Sequence, residues 1–136
     1  MQKKSLNSAK VKLFKMNYKE ILEALKKYAE KMLEKGAKVI ILIGSLAKGN
    51  YTAFSDADVI IISDNVPENL LDRIKMFIDP TLPIDIQPRV YTTKEILKMA
   101  HQKRKIIEEI LNHGKILAGD EKILKEIERS LGEKRY

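Results

Sequence analysis

Three aspartates of this chain stand where a buried strand would favour an apolar residue. Asp56 and Asp58 lead directly into the apolar run Val59–Ile62, and Asp85 sits between Ile84 and Ile86. A carboxylate in such a place is costly unless something neutralises it. Asp56 and Asp58 are two apart, so in a strand their side chains share a face with Cα atoms about 6–7 Å apart. Two carboxylates this close repel, and a divalent cation is their natural neutraliser. Hard oxygen donors with open positions suit Mg²⁺, whose shell is completed by water and substrate phosphates. Asp85 shares a face with Gln87 and Arg89, so it either pairs with Arg89 or completes a cluster with Asp56 and Asp58.

A second group precedes the aspartates. The apolar run Val39–Ile43 stops at Gly44-Ser45. A strand that ends in glycine and feeds a short helix exposes backbone N–H groups to an anion. Gly44 allows close approach of a phosphate, Ser45 adds a hydroxyl donor, and Lys48 adds a positive charge one turn later. Gly44 and Gly49 have the glycine spacing of a P-loop, but Asn50 and Tyr51 stand where that motif needs Lys and Ser/Thr. A P-loop is therefore excluded. An Asp-x-Asp pair alone occurs by chance in roughly a third of chains this rich in aspartate, so the weight rests on the combination. Phosphate donors end one strand and metal ligands begin the next, which equips one cleft for phosphoryl or nucleotidyl transfer.

Other residues offer less. His101 and His113 are twelve apart, which is not a metal-ligand spacing, and both read as structural or solvated. Lys103-Arg104-Lys105 reads as a solvated basic cluster. Tyr51 could stack on a base or pack on the edge of the core, with equal weight.

The elements that must position these residues follow from apolar periodicity. Asn17 and Glu20 have capping-box spacing and open a helix that stops at Gly36. Val39–Ile43 and Ala57–Ser63 read as buried strands, with a short helix or turn after Gly44. A helix starts at Pro67 and ends before Pro80. Residues 82–91 form a third strand, which Pro88 places at an edge or a bulge. Thr92 and Glu95 cap one long helix running to Gly114, and Asp120 caps a last helix through Leu131. The expected fold is α/β (α+β): a small mixed sheet with helices packed on one face. Residues 1–16 are expected to form a basic N-terminal arm, with a short strand at Val11–Phe14, and residues 17–136 one domain.

Composition bounds the function. The chain has 136 residues, 44% of them hydrophobic, enough for one domain with a real core. No run of apolar residues is long enough to span a membrane, and no signal peptide is evident. The absence of cysteine excludes disulfides and thiolate chemistry and fits a cytoplasmic protein. Net charge is +7 and uneven: residues 1–35 hold 10 Lys against 4 Glu, whereas residues 36–93 hold 5 basic against 7 acidic side chains. Such a chain can bind a polyanion, but solvated faces of Lys- and Glu-rich helices explain the charge more simply, so nucleic acid is not the favoured partner. Few aromatics and no Trp argue against a single-strand stacking platform.

Gly44-Ser45, ten residues, then Asp56-x-Asp58 resembles the signature of the DNA polymerase beta-like nucleotidyltransferase superfamily, in its minimal branch of antitoxin-like members. The resemblance covers about Ile21 to Val90. It implies that Gly44 and Ser45 bind the triphosphate of a nucleotide, with Lys48 beside them where the family often has Arg. It implies that Asp56 and Asp58 ligate Mg²⁺, with Asp85 joining a second ion and helping to deprotonate the attacking hydroxyl. It implies transfer of a nucleotide monophosphate, AMP from ATP, to a hydroxyl acceptor. Minimal members are often paired with a HEPN-type helical toxin, whose tyrosine would be that acceptor. The alternative is a non-catalytic antitoxin of the same fold that neutralises a helical partner. An oligomer is compatible with either.

Overall fold

A computed structural model describes residues 17–52 and 55–132 of the chain. The expected arm at 1–16, with its short strand, lies outside the described residues. The described elements, in chain order, are α1 (Tyr18–Glu34), β1 (Val39–Ile43), α2 (Gly44–Lys48), β2 (Ala57–Ile62), α3 (Leu70–Phe77), β3 (Ile86–Tyr91), α4 (Thr93–His101), α5 (Lys105–His113), β4 (Lys115–Gly119) and α6 (Lys122–Gly132).

The capping box at the start of α1 is formed as its spacing requires. The Asn17 side chain accepts the Glu20 N–H at 2.8 Å, and the Glu20 carboxylate accepts the Asn17 N–H at 3.1 Å. The helix lays Ile21, Leu25, Tyr28, Ala29 and Met32 on the sheet. Tyr28 carries a hydroxyl into this core, and it donates to the Phe77 carbonyl at 2.6 Å, so burial leaves no polar atom unmatched.

The four strands lie in the order β3-β2-β1-β4. β1 is antiparallel to both β2 and β4, and β2 is parallel to β3, so the sheet is mixed as expected. The placement of the helices differs from expectation: they cover both faces, not one. Ile40, Leu42, Val59 and Ile61 face α1 and α2. Val39, Ile41, Ile43, Ile60 and Ile62 face α4, α5 and α6. The reason is in β1 itself, where all of Val39–Ile43 is buried. A strand apolar at every position needs cover on both sides.

Four further elements depart from the sequence reading. α3 begins at Leu70, not Pro67, because Asn69 is the N-cap and accepts the Asp72 N–H at 3.1 Å. Pro67 stays outside the helix, and its carbonyl accepts the Arg73 Nε–H at 2.6 Å. The single helix expected from Thr92 to Gly114 is two, α4 and α5, broken where Lys103 takes a left-handed φ of 59°. The break lets α5 run beneath the end of β1. Finally, Lys115–Gly119 is an unexpected fourth strand at the free edge of β1. There, a Cβ on Gly119 would collide with the Lys38 carbonyl. The third strand keeps only Ile86–Tyr91 of its expected span, and Pro88 sits on the edge as its missing N–H demands. Among the described residues no helix is long and apolar enough to cross a membrane.

Candidate active site

The antiparallel pairing of β1 and β2 ends with Ile43 opposite Asp58. Residue 44 therefore emerges beside Asp58, and the Gly-Ser and Asp-x-Asp segments meet at one corner of the sheet. Their separation in sequence is the length of the connection that carries α2. Gly44 has φ +78°, and a Cβ there would stand 2.7 Å from Asp58 Oδ2. Both facts require glycine: the turn needs a left-handed residue, and the carboxylate comes too close for a side chain.

The loop after α2 is tied back to it. Ser45 Oγ donates to Ser55 Oγ at 3.1 Å, and Ser55 Oγ accepts the Thr52 N–H at 2.9 Å. Gly49 caps α2 in the left-handed conformation, its N–H donating to the Ser45 carbonyl. Tyr51 stacks on Tyr18, with ring centroids 5.4 Å apart and planes at 16°, so of its two readings the core-edge one describes its place in this structure.

The parallel pairing of β2 with β3 sets Gln87 beside Asp58 and Arg89 beside Ile60. Gln87 Nε2–H donates to Asp56 Oδ2 at 2.8 Å. Burial pushes the Asp58 carboxyl above the usual carboxylate range. The negative charges of Asp56 and Glu109 push it the same way, and Arg89 pulls it down. Asp85 precedes β3 and its carbonyl accepts the Ala57 N–H at 2.8 Å. Ile84 and Ile86 on either side of it pack into the α1 core, so the alternation carries Asp85 to the Asp56 and Asp58 side of the sheet. It is not gathered with them into a ready cluster: among the described residues no three acidic or imidazole side chains are grouped to hold a metal ion. His101 and His113 end α4 and α5 and form no such group either.

One residue of this corner escaped the sequence reading. Glu109, on α5, accepts the Gly44 N–H on Oε2 at 3.0 Å, and the same oxygen lies 3.9 Å from Lys48 Nζ. In the sequence it is one of two adjacent glutamates on an amphipathic helix and looks like a solvated charge. Only the break between α4 and α5 swings it onto Gly44.

The donor set fits a divalent cation. Asp56 and Asp58 offer hard oxygens on one side of the sheet, and burial, with Asp56 and Glu109, disfavours the charged form of Asp58, which a bound cation would favour. Two carboxylates with the remaining positions open to water and phosphate is a common arrangement for Mg²⁺.

Residues 19–117 match the nucleotidyltransferase domain family, and the chain belongs to that family. Among its relatives is "Putative protein adenylyltransferase MJ1305" of Methanocaldococcus jannaschii, 35% identical over 68 residues. That match covers 42% of this chain and 46% of the relative, so the alignment spans less than half the length of that protein. Two solved structures share the fold. One is a toxin-antitoxin crystallised with AMP-PNP, with a TM-score of 0.56 and 16% identity over 78% of this chain and 83% of that one. The other is a "putative nucleotidyltransferase" from Sulfolobus solfataricus, with a TM-score of 0.52 and 17% identity over 85% of this chain and 92% of that one.

Proposed function

We propose that the protein is a Mg²⁺-dependent nucleotidyltransferase that moves AMP from ATP to a hydroxyl acceptor. The observation that carries this reading is the meeting of Gly44 and Asp58 at one corner, with Asp56 on the same side of the sheet. Family membership and the adenylyltransferase relative support the reaction class.

In this reading the Gly44 N–H and the Ser45 hydroxyl donate to polyphosphate oxygens, and Lys48 offsets their charge. Asp56 and Asp58 would hold the cation, with Asp85 as the further ligand of a two-ion site, and the bound cation would supply charge neutralisation on the phosphates. Gln87 fixes the Asp56 carboxylate by its hydrogen bond. The acceptor oxygen attacks the α-phosphorus, and the bond to the bridging oxygen of the β-phosphate breaks. Pyrophosphate leaves, and the hydroxyl proton passes to Asp85. The acceptor we favour is a tyrosine of a HEPN-type helical partner, with the toxin-antitoxin character of a structural neighbour as support.

Isothermal titration tests this directly. ATP with Mg²⁺ should give binding heat with the wild type and little with Asp58→Ala. Absence of heat with the wild type counts against the enzyme.

A further inference from the structure

The Gly44 amide, which the proposed function assigns to the polyphosphate, is already engaged. Its partner is the Glu109 carboxylate at 3.0 Å. This contact joins residues far apart in sequence. Glu109 is also oriented by Lys48, the cation that the same phosphate would use, at 3.9 Å. The chain thus sets a carboxylate of its own on both groups meant for an incoming anion. The contact crosses from α5 to the start of α2, so it depends on the turn at Lys103 that separates α4 from α5.

Asp58 and Glu109 both lie against Gly44, and Asp56 adds negative charge beside Asp58; Arg89 opposes that charge at Asp58, and Lys48 pairs with Glu109. An anion arriving without a counter-ion meets three carboxylates and must displace one of them from its hydrogen bond. An anion arriving with a divalent cation meets neutralised aspartates, and the charge of that cation also offsets the repulsion from the displaced Glu109 carboxylate. Glu109 can yield, because its side chain is 32% exposed and can turn to water. It is therefore a displaceable competitor and not a fixed wall.

We propose that Glu109 is a specificity-determining residue of the phosphate cradle: it holds the Gly44 amide against anions, so that polyphosphate enters preferentially together with a divalent cation. This inference rests on the reading of Gly44 as a phosphate donor. A site that took ATP freely without its cation would fill with nucleotide unable to react. A competing carboxylate prevents that at the cost of one displaceable hydrogen bond.

Glu109→Gln separates the charge from the shape, since the amide oxygen of Gln still accepts the Gly44 N–H. Titrations of ATP, and of inorganic tripolyphosphate, are made with and without Mg²⁺. In the cation-free titrations Glu109→Gln should bind both probes about tenfold more tightly than the wild type, the size expected of one partly exposed charge at hydrogen-bond range. The gap between cation-free and Mg²⁺-loaded affinities should narrow accordingly. Glu109→Asp, which keeps the charge but is one methylene shorter, should fall between the two. Amide NMR supplies the second readout. The Gly44 resonance should move on Glu109→Gln substitution, and in the wild type on adding Mg²⁺ and tripolyphosphate together but not tripolyphosphate alone. Equal cation-free affinities in wild type and Glu109→Gln would overturn the proposal and leave Glu109 a structural tie. Weaker Mg²⁺-dependent binding in Glu109→Gln would overturn it in favour of a cation ligand. If the wild type binds neither probe even with Mg²⁺, the nucleotidyltransferase reading itself falls, and this inference with it.

Discussion

Asp58 and Asp64 stand at opposite ends of the same strand and live in opposite electrostatic worlds. Asp64, just past β2, takes an ion pair from Lys38 at 2.8 Å and accepts the Thr93 N–H at 2.7 Å and the Thr93 hydroxyl at 3.0 Å. The Lys38 and Thr93 hydrogen bonds hold its carboxyl below the usual range. Asp58 is half-buried, with Asp56 and Glu109 acting on it, and its carboxyl is held above that range. The same residue type is satisfied at one end and frustrated at the other. The satisfied end fastens α4 to the sheet. At the other end burial and neighbouring carboxylates disfavour the charge of Asp58, and a perturbed carboxyl of this kind is more common at functional sites than in a scaffold.

Substitutions should break this symmetry in opposite directions. The largest effect is on chemistry: Asp58→Asn should lower nucleotidyl transfer by more than the ~100-fold that loss of an outer-shell partner costs. Asp64→Asn should leave the transfer rate within about twofold, since surface changes away from a site act weakly. Rates with α-labelled ATP would decide, and an equal loss in both variants would erase the distinction.

Next in size is the scaffold's other acidic anchor. The Arg73 side chain, 6% exposed, forks onto Glu95 at 2.7 and 3.2 Å. Glu95→Ala would strand that guanidinium and should cost about 2–3 kcal/mol in urea unfolding, as Glu95 itself is half exposed. Transfer should be unaffected at temperatures where the variant is folded.

Asp64→Asn should cost less, about 0.5–1 kcal/mol, because its pair with Lys38 is open to water and Asn still accepts the Thr93 N–H. The cost should depend on pH. With a lowered pKa in the folded state, Asp64 stabilises above its unfolded value, and this is lost as pH falls through the folded one. The smallest effect has the reverse sign. The raised pKa of Asp58 means that its charged form opposes folding above the unfolded value and not below it. Asp58→Asn should therefore raise the melting temperature slightly at neutral pH, with the gain fading as pH falls through the raised folded value and gone below the unfolded one. Melting curves of both variants across pH would show whether the two lines diverge as stated.

Much of the molecule was legible in residue order. Asn17-x-x-Glu20 and Thr92-x-x-Glu95 named two helix starts because a capping box is a local device, complete within four residues. Val39–Ile43 named a buried strand because five consecutive branched or apolar residues fit nothing else between two glycines. Gly44-Ser45 and Asp56-x-Asp58 named a corner because adjacent antiparallel strands bring the end of one beside the start of the next. These are short-range facts, and the chain states them directly.

The rest is decided at long range. That helices cover both faces follows from where α4, α5 and α6 pack, and only the fully buried β1 hinted at it. Lys115–Gly119 has only a brief apolar run between a lysine and a glycine, and becomes a strand by pairing with the free edge of β1. The turn at Lys103 has no glycine or proline to mark it, since the tertiary packing of α5 holds the strained residue in place. That turn carries Glu109 onto the Gly44 amide across a separation that no periodicity encodes. Residue order set the local hydrogen bonds and the apolar faces. Which distant charges share a corner was settled only when those faces were buried, because an electrostatic neighbour is defined by distance in space and not along the chain.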